Sequence, residues 1–183
     1  MRTKKVNILL ILLIFSVSSL HAQKMGIQSV GINSGIFIPQ KDWNNGFFLE
    51  FHTNFGEVLD YIFFTPYFVY LHSNRPENSY NLSLQYASFG SKILGYINPK
   101  PRGFYTGIDL SFNTILTESI TSQIDENDPE IKQFSDTKIG LGALVGYLFK
   151  FDVFSINIET KYILMQGGFN TFQIGAGVNY YLK

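Results

Sequence analysis

From residue 26 onward, polar and apolar side chains alternate with period two, and turn-forming residues interrupt the alternation at intervals. Successive side chains of a strand point to opposite sides, so this period predicts strands with two unlike faces. Eight runs can be drawn. In run one, 30–38, Val30, Ile32, Ile36 and Ile38 share a face opposite Ser29, Gly31, Asn33 and Gly35. Run two, 46–55, sets Phe47, Leu49, Phe51 and Phe55 against Glu50, His52 and Asn54. Run three, 61–73, is apolar on both faces, and its Pro66 predicts a bulge or a weak point in the ladder. Run four, 81–94, opposes Leu82, Leu84 and Tyr86 to Ser83 and Gln85, and its alternation blurs near Phe89. Run five separates Phe104, Thr106, Ile108, Leu110 and Phe112 from Tyr105, Gly107, Asp109, Ser111 and Asn113. In run six, Ile139, Leu141, Ala143, Val145, Tyr147 and Phe149 stand opposite Lys138, Gly140, Gly142 and Gly146. Run seven puts Phe154, Ile156, Ile158, Thr160 and Tyr162 against Ser155, Asn157, Glu159 and Lys161. Run eight carries Phe172, Ile174, Ala176, Val178, Tyr180 and Leu182 on one face.

These runs are about 9 to 14 residues long, enough for a tilted membrane strand of about 9–11 residues. Soluble strands are shorter, at about 5 or 6 residues. In lipid an open sheet edge leaves backbone groups unpaired at several kcal/mol each, so such strands must close. The pattern therefore predicts an all-β chain folded as a closed antiparallel eight-stranded transmembrane β-barrel, an up-and-down meander, with the apolar faces outward and a polar lumen. Barrels of this kind have longer outer loops and short periplasmic turns. The odd connections, 39–45, 74–80, 118–136 and 166–170, are accordingly expected outside; among the even ones, 95–103 is longer than this rule expects.

Composition sharpens the reading. The 183 residues include 18 Phe, 11 Tyr and 16 Gly, while charged residues make up only 15%, against about 25% in soluble domains. Residues 1–22 read as a signal peptide: Arg2, Lys4 and Lys5 precede an apolar stretch of about 12 residues and a cleavage region ending at Ala22. About 20 residues would be needed to span a bilayer as a helix. The barrel domain is then 23–183. Loss of the leader leaves 11 basic against 14 acidic residues, a net −3, which gives nucleic acid no electrostatic handle. The absence of cysteine removes disulfides, thiolate catalysis and Cys-ligated metal. No cofactor motif is present.

Several segments carry a family resemblance: Gly-Phe-Phe-Leu-Glu-Phe at 46–51 after Trp43, Phe-Thr-Pro-Tyr-Phe-Val-Tyr at 64–70, Gly-Phe-Tyr-Thr-Gly-Ile-Asp-Leu-Ser at 103–111, and Lys-Ile-Gly-Leu-Gly-Ala-Leu-Val-Gly-Tyr at 138–147. An Asn-Ile-Glu-Thr-Lys-Tyr strand follows at 157–162, and the terminal strand is apolar at every second position up to Leu182. On these the chain resembles the small eight-stranded outer-membrane β-barrel proteins, the porin-like kind that Bacteroidetes-type genomes encode in many copies. The resemblance implies residence in the cell outer membrane of a Gram-negative-type bacterium, contact with outer-membrane lipid and lipopolysaccharide, insertion by the barrel-assembly machinery, and a monomer.

Candidate chemistry falls in three places. Glu50, His52, Asp109, Glu159 and Lys161 lie on the inward face of runs two, five and seven. A lumen of eight strands is only wide enough for side chains, so these groups are expected to form a paired plug rather than a conduit. The second place is the acidic stretch Asp125, Glu126, Asp128 and Glu130, within the longest outer connection. It lacks the spaced ligands and glycine of a calcium loop and reads as a solvated surface. Third, Trp43, Tyr61, Tyr96, Tyr105 and Tyr180 sit near run ends, as interfacial aromatic belts require. A rim dyad of His72 with Ser73 and Glu77 is the weakest of the alternatives weighed; a plain rim contact is favoured over it. A structural or surface-interaction protein is thus expected rather than an enzyme, with a narrow channel and then a lipid-modifying enzyme as alternatives. A water-soluble lipocalin-type barrel would need the opposite polarity of faces.

Overall fold

The computed structural model describes residues 25–40, 43–77, 80–98, 100–122 and 130–182. The proposed leader lies outside them. Eight strands follow one another: β1 (Met25–Pro39), β2 (Gly46–Leu59), β3 (Ile62–Glu77), β4 (Tyr80–Tyr96), β5 (Gly103–Ser122), β6 (Glu130–Lys150), β7 (Phe154–Met165) and β8 (Thr171–Tyr181). Each pairs antiparallel with its sequence neighbours, and β8 closes on β1, with Ile36 opposite Ile174 and Val30 opposite Tyr180. The result is a closed up-and-down meander. Closure leaves no free sheet edge through the body of the barrel, which is what a hydrocarbon surround demands.

The outside of the barrel is greasy. Ile32, Ile36, Phe51, Ile108, Leu110, Phe112, Ile139, Leu141, Val145, Ile158, Ile174 and Val178 are all exposed. The inward positions of the same strands hold Ser29, Asn33, Glu50, Asp109, Ser111, Asn113, Asn157, Glu159, Lys161 and Asn179, all buried. This is the polarity of a protein whose outer solvent is lipid.

One end carries the chain termini and the connections β2–β3, β4–β5 and β6–β7; the other, called here the loop end, carries β1–β2, β3–β4, β5–β6 and β7–β8. The extra length expected in the loops is largely spent on strand. β3 runs to Glu77 and β4 starts at Tyr80. β5 and β6 continue pairing as far as Ser122 opposite Glu130, well past the last β4–β5 pair, Leu84–Thr117, and the last β6–β7 pair, Gly140–Met165. A two-stranded hairpin therefore projects beyond the rim.

Run four requires a correction. Leu82, Leu84 and Tyr86 point into the lumen, and Ser83 and Gln85 face outward. The reason is the local solvent. At the loop end of β3–β5, the outward positions hold Asn74, Ser83, Gln85 and Thr114, side chains suited to water, so the apolar groups turn inward as in a soluble protein. Farther down the same strand Phe89 and Ile93 are exposed while Lys92 is buried. The apolar face thus changes sides where β4 passes from water into hydrocarbon.

Candidate functional site

The lumen is filled in three layers. Toward the loop end, Phe37, Phe48, Val69, Leu71, Leu84, Tyr86, Ile115, Ile163 and Met165 form one apolar cluster. Toward the termini, Phe63, Leu94, Tyr96, Tyr105, Leu144 and Leu148 form a second. Between them lies an ionic network. The ammonium of Lys92 sits 2.7 Å from Glu50 Oε1 and 2.6 Å from Glu159 Oε1. Lys161 reaches Glu50 Oε2 at 3.4 Å and Asp109 Oδ2 at 3.3 Å. Tyr67 donates its hydroxyl to Asp109 at 2.9 Å, and its ring lies under both lysines, with centroid distances of 4.3 Å to Lys161 and 5.3 Å to Lys92. Tyr105 donates to Glu159 at 3.1 Å, and Asn33 donates to Glu50 at 3.1 Å.

His52 joins the network at its edge. Its Nε2 is 2.5 Å from Asn179 Oδ1, and its Nδ1 is 3.3 Å from Glu50 Oε1. Asn179 spends its own amide N–H groups on Ser155 and Asn157, which fixes its oxygen toward the imidazole and makes Nε2 the donor. Three carboxylates face two ammonium groups here, and His52 stands beside Glu50 at the edge of the network. Buried charges of this kind persist only when paired and hydrogen-bonded, and both Glu50 and Asp109 meet that condition.

All five residues singled out from the sequence for the lumen, Glu50, His52, Asp109, Glu159 and Lys161, project inward and meet one another directly or through Lys92. Lys92, Tyr67 and Asn33 were missed. A signal for Lys92 existed: a lysine in mid-strand cannot face lipid cheaply, and its parity would also have oriented Tyr86 and Leu84 correctly.

Room for the inward rings comes from glycine. A Cβ at Gly90 would stand 2.8 Å from the Tyr67 ring, one at Gly146 would strike Tyr105, and one at Gly175 would strike Phe48. Gly146→Val is therefore expected to cost about 1–3 kcal/mol by overpacking, read from urea unfolding in detergent. Ala143→Val, outward on the same strand, should stay within about 0.5 kcal/mol.

Two proposed belt residues are corrected. Tyr96 and Tyr105 are buried in the lower lumen cluster, 5.3 Å apart between ring centroids; they occupy inward positions, so their place near the strand ends does not bring them to the lipid interface. Tyr61 and Tyr180 do face outward. Trp43, in the β1–β2 connection, packs partly buried on the upper lumen cluster, with the Arg75 guanidinium 4.9 Å from its ring. Asp125, Glu126 and Asp128 lie outside the described residues; Glu130 begins β6. The adjacent His72 and Ser73 take opposite faces: Ser73 is buried and donates to the Asn44 carbonyl, while His72 packs outward beside Phe47 at 5.6 Å. They form no dyad. Among the described residues no cluster of His, Asp and Glu could hold a metal ion.

A cavity of about 30 Å³, lined by Asn54, Thr65, Lys92, Glu159, Asn157 and Asn179 among others, lies in the half nearer the termini. It is polar and fits one or two waters.

No known family model matches the chain, and no curated protein matches it. Solved structures do. Neisserial surface protein A superposes with a TM-score of 0.62 at 16% identity, over 84% of this chain and 96% of that one. Ail, the attachment invasion locus protein of Yersinia pestis, solved with the heparin analogue sucrose octasulfate, gives 0.55 at 16% identity, over 85% and 100%. The N-terminal β-barrel domain of Pseudomonas aeruginosa OprF gives 0.51 at 11% identity, over 86% and 99%. The chain has the fold of these small eight-stranded outer-membrane β-barrels. At these identities the likeness is one of fold.

Proposed function

We propose that this barrel is a membrane-anchored scaffold that presents its loop end, above all the β5–β6 hairpin, for interaction outside the cell, and that it neither conducts solute nor catalyses a reaction. The observation that carries this reading is the filled lumen: over the ionic layer the loop end, where a channel would open, is closed by an apolar cluster that includes Phe37, Phe48, Leu84 and Tyr86. The hairpin supports it from the other side. Lys132, Gln133, Phe134, Ser135, Asp136 and Thr137 are all exposed, more than a simple connection needs. The names of two structural neighbours, a surface protein and an attachment protein, agree with a surface role. The finer placement among Bacteroidetes-type small barrels rests on the sequence segments at 46–51, 64–70, 103–111 and 138–147. In this reading the apolar girdle meets outer-membrane lipid and lipopolysaccharide, the assembly machinery takes the alternating C-terminal strand, and the barrel acts as a monomer.

Two measurements test it. Refolded protein in planar bilayers should give no conductance steps; discrete open levels would refute the sealed lumen. The chain has no cysteine, so a single introduced one is a unique probe. On intact cells Ser135→Cys should react with a membrane-impermeant maleimide and Asp152→Cys, in the β6–β7 turn, should not. The reverse labelling would place the hairpin in the periplasm and end the proposal.

A further inference from the structure

The wall of the barrel is weakened at one seam. Across β2–β3 the pairs run regularly from Phe47–His72 to His52–Tyr67 and resume only at Glu57–Phe63. Between these pairs the register shifts, with residues 53–56 opposite 64–66; Thr53, Asn54 and Gly56 still pair with β1, and 64–66 with β4. Four residues face three, as in a bulge, and Pro66 stands in the gap with no N–H to offer. Over the seam lies a groove of about 750 Å³. Phe51, Phe68, Phe89 and Val178 wall it, the inward-facing Gly31, His52 and Tyr67 lie behind it, and Thr53 and Pro66 complete its lining.

From these features we infer that the β2–β3 groove is a specific lipid site that holds one acyl chain of a glycerophospholipid. With the barrel placed in the outer membrane, the reading on which this inference rests, hydrocarbon bathes this face. A bulge bends and twists the strand locally, and the hollow it leaves in the outer wall is lined almost wholly by apolar side chains, which an alkyl chain matches. The seam lies in the half of the barrel nearer the termini. With the termini periplasmic, the chain comes from the leaflet on that side. The 340 Å³ depression beside Ala143, Val145 and Phe172, by contrast, lies over regularly paired strands.

The test is native mass spectrometry of the full chain extracted in mild non-ionic detergent. One glycerophospholipid adduct per barrel is expected. Val178→Trp fills the groove from its β8 wall without touching the lumen and should lower the adduct-bearing fraction at least tenfold. Phe89→Ala, which removes a wall instead, should lower it several-fold, so the test does not depend on one variant folding. Ile139→Trp, outward on the far side, should leave it unchanged. A lipid-free wild-type barrel, an adduct with the mass of detergent or a lipid A-type glycolipid, or an adduct equally retained in Val178→Trp and Phe89→Ala would overturn the inference.

Discussion

Lys92→Met should destabilise the barrel by about 3–5 kcal/mol, the cost of stranding a buried charge without its partner. Lys92 is the only described group that touches both Glu50 and Glu159, at 2.7 and 2.6 Å. Removing its ammonium leaves Glu159 with a single neutral donor, Tyr105, and leaves Glu50 with the more distant Lys161. The readout is the urea midpoint of the heat-modifiable gel mobility shift, with the folded barrel running apart from its boiled form. Lys92→Met/Glu159→Gln should recover part of the loss, since the second change deletes the stranded charge. Lys138→Met, which breaks only the half-exposed pair with Asp136, should cost no more than about 1 kcal/mol. If Lys92→Met unfolds at the wild-type midpoint, the ionic layer does not hold the lumen together as described.

Leu110→Arg is the second large effect, at about 2–4 kcal/mol. Leu110 is half exposed on the outer wall, paired with Leu141 and Ser91 in the middle of the sheet, where a guanidinium would have to enter hydrocarbon. Gln85→Arg, also outward but near the loop end of β4, should cost about 0–1 kcal/mol, the value for positions near the interface. The contrast between the two maps the membrane boundary across neighbouring strands. Equal penalties would mean that the inversion of apolar faces along β4 does not mark the edge of the hydrocarbon.

That inversion also explains what could and could not be read in the sequence. The strands β1, β2 and β5 to β8 declare their faces because one side meets lipid along most of its length while the other meets a polar lumen; Ile139 to Phe149 against Gly140 and Gly142 is the clearest case. β3 and β4 pass through two solvents. Their apolar side chains line the lumen at the loop end, as Leu71, Leu84 and Tyr86 do, and face lipid lower down, as Phe68, Phe89 and Ile93 do. A single period-two pattern cannot describe a strand whose greasy side switches, so the alternation blurs near Phe89. Tyr105 was legible by another route. It shares a face with Asp109, so parity places it inside, whatever its nearness to a strand end suggests. The partners of a lumen charge were not legible, because they depend on how far a Lys92 or Lys161 chain reaches across the barrel. The β2–β3 seam was announced by Pro66, but the groove above it is made by side chains from β1, β4 and β8 that only closure brings together.

The claim on which the rest depends is that neighbouring residues of one strand face lipid and sealed lumen in turn. It is tested most directly by fluorescence quenching with brominated acyl chains in a Trp43→Phe background, which is otherwise free of tryptophan. Phe68→Trp and Tyr67→Trp place the probe at adjacent positions of β3, at nearly the same depth, one exposed and one buried. Strong quenching of the first and almost none of the second is the expected result. Equal quenching, or stronger quenching at position 67, would contradict it.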